Sequence, residues 1–298
     1  MLEWHLSNTD FSVLHHGAQT LGSDTSPVNL FLLCDLFHTE VAVHDGILFR
    51  YYQGNADNCR GYGAPLSACD FDSAKVLSLL KCDAEQRGVP LSFCAFDERQ
   101  TRVFDGLCNI RWSSRDGDGD YIYKRESLAL LSGKKLHAKK NLVNRFWRLY
   151  PDASYQPITK ENIADALIVA EQWFAEREEE GVDADMSELA HIRKAAEHWE
   201  ELGLFGGVLY AEGVPAAMTM ASAISKQVID VHFEKAVGSF AAEGAYAAVN
   251  QAFAASEAAA PYVYVNREED MGIPGLRKVK EAYRPAFKVE KYFGIVGE

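Results

Sequence analysis

Two apolar runs, each broken by an acidic residue and a glycine, set the pattern of this chain. Val41-Ala42-Val43 and Ile47-Leu48-Phe49 flank His44-Asp45-Gly46, and Val208-Leu209-Tyr210-Ala211 leads through Glu212-Gly213 to Val214-Pro215-Ala216. Each reads as a hairpin whose tip supplies the positive φ angles of a two-residue turn. After the first come a helix over Ser73–Gln86 and a strand over Leu91–Phe96 that runs into Asp97-Glu98. After the second come a helix over Gly244–Ser256 and a strand over Tyr262–Val265 that runs on toward Glu268-Glu269. The same elements in the same order, at nearly constant separation, predict duplication of one unit. Hairpins beside strand–helix–strand crossovers make mixed sheets, so the expected class is mixed α/β: two tandem units, each a curved mixed sheet flanked by helices. A helical run ends at Tyr150-Pro151, which predicts an N-terminal unit over 1–150 and a C-terminal unit over 151–298.

Two further segments carry chemistry on a regular pattern. In Val228–Glu234, Ile229, Val231 and Phe233 fall on one parity and Asp230, His232 and Glu234 on the other. Three proton-exchanging groups on one strand face suit an acid/base row, and equally the wet face of an antiparallel strand. The segment 266–285, NREEDMGIPGLRKVKEAYRP, reads as a charged turn and then a helix opened by Pro274-Gly275. On that helix Leu276, Val279 and Tyr283 form an apolar stripe, and Arg277, Lys280 and Arg284 a basic ridge. Free N–H groups at the helix start beside fixed cations suit an anion. A salt-bridged structural turn would gather the same charges.

Length and composition narrow the class. With 298 residues, 48% hydrophobic and 24% charged, the chain is long enough for two folded domains. No run approaches the roughly 18 apolar residues of a membrane span, and no basic stretch precedes an apolar core at the N-terminus. A cytoplasmic protein is expected, with its six cysteines, all within the first 108 residues, as buried or free thiols. The net charge of −13 argues against non-specific binding of nucleic acid. Yet from Lys124 to Arg148 there are eight Lys/Arg residues and one acid, while from Glu171 to Glu201 there are eleven acids and three bases. Two solvated helix faces of opposite sign, or a local basic strip for phosphates, fit that distribution.

Three runs resemble a known family: HFEKA at 232–236, GAYAAVNQAFA at 244–254 and the whole of 266–285. A fourth, YIYKRESLALLSGKKLHAKKNLVNRF at 121–146, strengthens it. Together they are similar to the C-terminal domain of phosphatidylglycerol lysyltransferases and their soluble relatives, most clearly from Tyr121 to Tyr292. The resemblance implies two tandem GNAT-type acyltransferase units, similar to the Fem aminoacyltransferases. It also implies transfer of an acyl or aminoacyl group, with aminoacyl-tRNA or acyl-CoA as donor substrate and no tightly bound cofactor. The acceptor would be a small-molecule or peptide amine or hydroxyl, and tRNA a partner.

On that reading Glu234, His232 and Asp270 are the candidate bases, in that order, and Tyr283 a candidate proton donor. Backbone N–H groups near Gly275, or an arginine, would stabilise the oxyanion. Lys139, Arg145, Arg277 and Lys280 would hold phosphates, with Asn266 and Arg267 completing the binding set. The second half is the favoured seat of the chemistry. A rival is a non-catalytic module of the same fold that binds a small anionic ligand or peptide.

Several motifs carry less. The glycine loop that holds pyrophosphate in acyl-CoA enzymes has an acid in place of a cation at Ala241–Ala245, and Asn58–Gly63 is a near match that also reads as a turn. Asp116–Asp120 imitates the start of a calcium loop but lacks the required glycine and glutamate. The histidines show no zinc spacing, so no metal is expected.

Overall fold

A computed structural model describes residues 2–54, 60–181 and 185–297. In chain order the strands are β1 (His5–Leu6), β2 (Thr39–His44), β3 (Ile47–Tyr52), β4 (Gly61–Tyr62), β5 (Ser92–Phe96), β6 (Ile110–Ser114) and β7 (Asp120–Lys124). They continue with β8 (Ser154–Pro157), β9 (Phe205–Ala211), β10 (Val214–Ser225), β11 (Val228–Ala236), β12 (Tyr264–Asn266), β13 (Phe287–Val289) and β14 (Tyr292–Val296). The helices are α1 (Pro27–Leu32), α2 (Cys34–Phe37), α3 (Ser73–Arg87), α4 (Arg125–Leu130) and α5 (His137–Leu149). Then follow α6 (Ile163–Glu179), α7 (Met186–Glu197), α8 (Gly238–Glu243), α9 (Ala245–Ala255) and α10 (Pro274–Ala282).

The strands form two seven-stranded sheets, ordered β1-β2-β3-β4-β5-β14-β6 and β13-β7-β12-β11-β10-β9-β8. Both are mixed. β4 runs parallel to β5 across α3, and β11 runs parallel to β12 across α8 and α9. Both expected hairpins form, and their tips have the positive φ that this turn demands: 51° and 74° at Asp45-Gly46, 53° and 77° at Glu212-Gly213. The duplicated mixed α/β architecture anticipated from the sequence is therefore present.

The units divide elsewhere than at Tyr150-Pro151. One comprises 1–120, 269–273 and 288–298, and the other 121–268 and 274–287. α4 and α5, which end the expected N-terminal half, pack on α9 and belong to the second unit. Their apolar residues explain this: Leu128, Leu131 and Val143 are buried with Ile229, Val231 and Phe253, and Phe146 with Leu209, Ala217 and Val249. In return, β14 supplies a strand of the first sheet, between β5 and β6.

The first unit's core is aromatic, built on Phe49, Tyr51, Tyr62, Phe93, Phe96 and Phe104. There Cys94 is disulfide-bonded, a correction to the expectation of thiols throughout, while Cys34, Cys69, Cys82 and Cys108 are free. Cys59 lies outside the described residues, as does Asn58 of the near-match glycine loop. Asp120, the last residue of the segment that imitates a calcium loop, is buried: it accepts from Ser23 N–H and Oγ–H and meets Lys291 Nζ at 3.0 Å. Lys291 also contacts Asp24 and Glu269, each at 2.9 Å.

In the second unit, small residues let helices approach the sheet from both sides. Ala216, Ala217, Met218, Met220 and Ala221 of β10 are fully buried, with α9 on one face and α6 on the other. Gly244, at φ +113°, joins α8 to α9, and a Cβ there would lie 2.6 Å from the Leu142 carbonyl oxygen. This glycine is needed for close approach of backbones, so Ala241–Ala245 is a helix junction rather than an open phosphate loop.

Candidate active site

β11 runs through the middle of the second sheet, and its register is irregular. Met220 pairs with Phe233 and Ala221 with Val231, so His232 is an extra residue on β11. Such a bulge reverses the parity of the side chains beyond it. Before it, Ile229 and Val231 pack with Ala247, Phe253 and Ala254 of α9. After it, Glu234 bonds to Asn250 of the same helix. The expected row is thus divided, with Glu234 on the α9 face and Asp230 and His232 on the other.

Glu234 anchors a buried cluster. Its Oε1 accepts from Arg267 Nη2 at 2.8 Å, and its Oε2 from Asn250 Nδ2 at 2.9 Å. The Arg267 guanidinium lies 4.8 Å from the Tyr283 ring centroid and 5.8 Å from that of Tyr123. Lys139, from α5, places Nζ 4.1 Å from the Tyr283 centroid. Burial opposes the charge on Arg267, but Glu234 with Tyr283 and Tyr123 together outweigh it and raise the arginine's pKa further. For Lys139 nothing outweighs burial, and with Arg267 nearby its pKa falls below the ordinary lysine value. Burial pushes the Tyr283 phenol up to about 12, against the pull of Arg267.

Three buried polar atoms in this neighbourhood make no hydrogen bond among the described residues: Arg267 Nη1, Asn250 Oδ1 and Thr219 Oγ1, Thr219 being the register partner of Glu234. Buried polar atoms are seldom left so, and a group of them beside a fixed ion pair suits a polar ligand or ordered water.

The other half of the row forms a second cluster. His232 Nε2 lies 2.8 Å from Ser222 Oγ, and its Nδ1 lies 3.7 Å from Asp230 Oδ2 and 3.8 Å from Glu268 Oε1. The histidine and aspartate side chains are 1% and 0% exposed, and that of Glu268 is 29% exposed.

The acidic turn spreads its members rather than concentrating them. Glu268, at φ 55°, faces His232, and its N–H donates to Asn266 Oδ1 at 2.7 Å. Glu269 meets Lys291. Asp270 belongs to the first unit, where its Oδ1 accepts from Gly272 N–H at 2.9 Å. Asn266 is therefore a turn-forming residue, and Asp270 is held in a tight turn of the first unit.

α10 forms where expected, but its buried position is Lys280, whereas Val279 of the anticipated apolar stripe is 47% exposed. Lys280 Nζ donates to the carbonyl oxygens of Arg267 and Glu268, so it holds the turn instead of standing free for phosphate. Gly275 is exposed on the first turn, Arg277 is half-buried, and Arg145 is exposed on α5. The structure brings together Glu234, Arg267, Lys139 and Tyr283 from the expected set. It adds Tyr123, Asn250 and Thr219, of which Tyr123 was signalled by the alternation Tyr121-Ile122-Tyr123.

The matching family model is described as phosphatidylglycerol lysyltransferase, C-terminal, and covers residues 17–294. A conserved Bacteroides thetaiotaomicron protein of unknown function is 30% identical, with 100% of both chains covered and a TM-score of 0.89. L-PGS from Bacillus licheniformis shares the fold at 14% identity and TM-score 0.63, over 96% of this chain and 90% of the other. FemX shares it at 9% identity and TM-score 0.63, over 99% and 98%. Among curated proteins none matches the sequence. The family match over nearly the whole chain, together with the two mixed sheets, means that this chain belongs to the phosphatidylglycerol lysyltransferase C-terminal family.

Proposed function

We propose that the chain transfers an aminoacyl group from aminoacyl-tRNA to an amine or hydroxyl acceptor, and that the Glu234–Arg267 cluster is the reaction centre. The observation that carries this reading is Arg267: a buried guanidinium, fixed by Glu234 and two tyrosines, with Nη1 making no hydrogen bond among the described residues. A donor held in advance where negative charge develops is the largest single aid to acyl transfer, typically worth about 10²–10³-fold.

In the reaction the acceptor's nitrogen or oxygen attacks the ester carbonyl carbon, and the carbonyl oxygen becomes an oxyanion beside Arg267 Nη1. Collapse re-forms the carbonyl and breaks the bond to the tRNA ribose oxygen. Glu234 keeps lone pairs beyond its two hydrogen bonds and accepts the nucleophile's proton. Tyr283, protonated at neutral pH, gives a proton to the departing oxygen and is restored from Glu234. Lys139 adds a second cation for the anionic donor. The exposed Lys135, Lys140, Arg145 and Arg148 of α5 and its approach suit the phosphates of an acceptor stem.

The relatives' names support the class of transfer, and the lysyltransferase name supports an aminoacyl group over an acetyl group. Among the described residues no helix is long and apolar enough to cross a membrane. The test is transfer of labelled amino acid from charged bulk tRNA to amine and hydroxyl acceptors, with Arg267→Gln beside the parent chain. Loss of at least tenfold in transfer with tRNA binding retained supports the assignment. Equal rates for both proteins would remove Arg267 from the chemistry. Saturable, salt-dependent tRNA binding with no transfer to any acceptor would favour a binding module.

A further inference from the structure

We infer that Asp230, His232 and Glu268 form a binding site for one divalent transition-metal cation, of the Zn²⁺ class, on the side of β11 opposite the Glu234 cluster. One ligand atom from each side chain lies within 4.8 Å of the other two, and among the described residues no other three such side chains converge so closely. This site stands apart from the transferase reading and does not depend on it.

The histidine supplies the decisive observation. Its side chain is 1% exposed and Nε2 is engaged with Ser222 Oγ at 2.8 Å, yet among the described residues Nδ1 makes no hydrogen bond. In the tautomer whose Nε2–H donates to Ser222 Oγ, the Nδ1 lone pair faces the two carboxylates. A divalent ion seated among the three would take that lone pair together with one oxygen of each carboxylate. Engagement of the far ring nitrogen is how metal-bound imidazoles are oriented and their tautomer fixed.

Distances agree. Two ligands on an ion with bonds of about 2.1 Å and tetrahedral angles lie about 3.4 Å apart. Nδ1 is 3.7 Å from Asp230 Oδ2 and 3.8 Å from Glu268 Oε1, so these two pairs need closure by a few tenths of an ångström, and all three ligand atoms lie within 4.8 Å of one another. Asp230 and His232, two residues apart on β11, share a face next to the turn after β12, and the bulge turns Glu234 away from them.

The donor set selects the ion. Two carboxylates balance a divalent charge, and imidazole nitrogen favours zinc and its neighbours over magnesium or calcium, which prefer all-oxygen shells. Asp230 and His232 close the inner side, while the 29% exposed Glu268 marks the side from which the ion and a fourth ligand enter. Three protein ligands with one open position are the arrangement of a reactive ion more than of a purely structural one.

The full chain, freed of metal by a chelator, is titrated with Zn²⁺ by calorimetry and with Co²⁺ by visible absorption. The expected result is one ion per chain and a d–d spectrum of low coordination number. Glu268→Gln, at the exposed rim, should weaken binding at least about tenfold, and Ser222→Ala by about 10–100-fold through the orientation of His232. If the buried variants fail to fold, anomalous diffraction from Zn²⁺-soaked crystals of the parent chain decides: a peak between the three side chains supports the site. Absence of stoichiometric binding, equal affinity in Glu268→Gln, or a peak elsewhere in the molecule overturns it.

Discussion

Arg267 reaches back 33 residues from the turn after β12 to Glu234 on β11, and the two meet at 2.8 Å with side chains only 12% and 9% exposed. Removing one partner leaves the other charged and enclosed. Glu234→Leu should therefore cost about 3–5 kcal/mol in urea unfolding, and the double variant Glu234→Leu/Arg267→Met markedly less than that. A double variant as unstable as the single one would mean that packing, not charge, holds this pair.

His16 offers a pH test in the first unit. Its Nε2 lies 3.0 Å from the Thr25 carbonyl oxygen, and its Nδ1 accepts from Ala18 N–H at 3.1 Å, an arrangement that uses the neutral ring fully. Burial lowers its pKa to about 4, Arg50 and His15 adding to the effect while Thr25 opposes it. The unfolded chain then binds a proton that the folded chain does not, so stability falls as pH drops from 6.5 toward 4. Replacing His16 with Gln should flatten that part of the stability–pH curve. An unchanged slope would assign the acid sensitivity to other groups.

Lys291 should behave in the opposite sense. Burial opposes its charge, but Asp120, Asp24 and Glu269 together outweigh burial and raise its pKa well above 10.5. Its stabilising contribution is complete below 10.5 and is lost as pH rises through the folded value. Lys291→Met should cost about 3–5 kcal/mol near neutral pH, because Asp120 is left buried without its cation. Chemical unfolding of both proteins at neutral and alkaline pH measures the gap, which should narrow only at strongly alkaline values.

At Gly244 the backbone itself is the constraint. Ala there would need φ near +113° and would press its Cβ to 2.6 Å from the Leu142 carbonyl oxygen. The expected loss is about 1–3 kcal/mol, read as a lowered melting temperature, with the secondary-structure spectrum retained. A variant as stable as the parent would show that α5 and α9 separate readily.

Local patterns in the sequence were enough to reveal the hairpins, the crossover helices, the duplication and four members of the Glu234 cluster. Asp45-Gly46 and Glu212-Gly213 state their turn chemistry within two residues, and Ser73–Arg87 states its helix with Asp72 as cap and Gly88 as stop. The bulge at His232 was hidden because nothing in VIDVHFE distinguishes an extra residue from a regular alternation. Its presence depends on how β10 aligns, and it sent Glu234 to one face and His232 to the other. The Asp230–His232–Glu268 grouping was equally hidden, since Glu268 comes from a turn remote in sequence. Lys280 looked like a surface cation because its helix pattern is basic. Its bonds to the carbonyl oxygens of Arg267 and Glu268, which the sequence does not show, help to explain its burial.

The place of β14, between β5 and β6, bears on how the protein is made. A ribosome releases β5 and β6 long before Tyr292, and until then each presents an unpaired backbone edge that any other extended chain can join. The first sheet consequently waits for the second to be synthesised, although it comes first in the chain. A nascent chain stalled after α10 would carry a nearly finished second sheet and a first one still split between β5 and β6, open to aggregation until the last strand arrives.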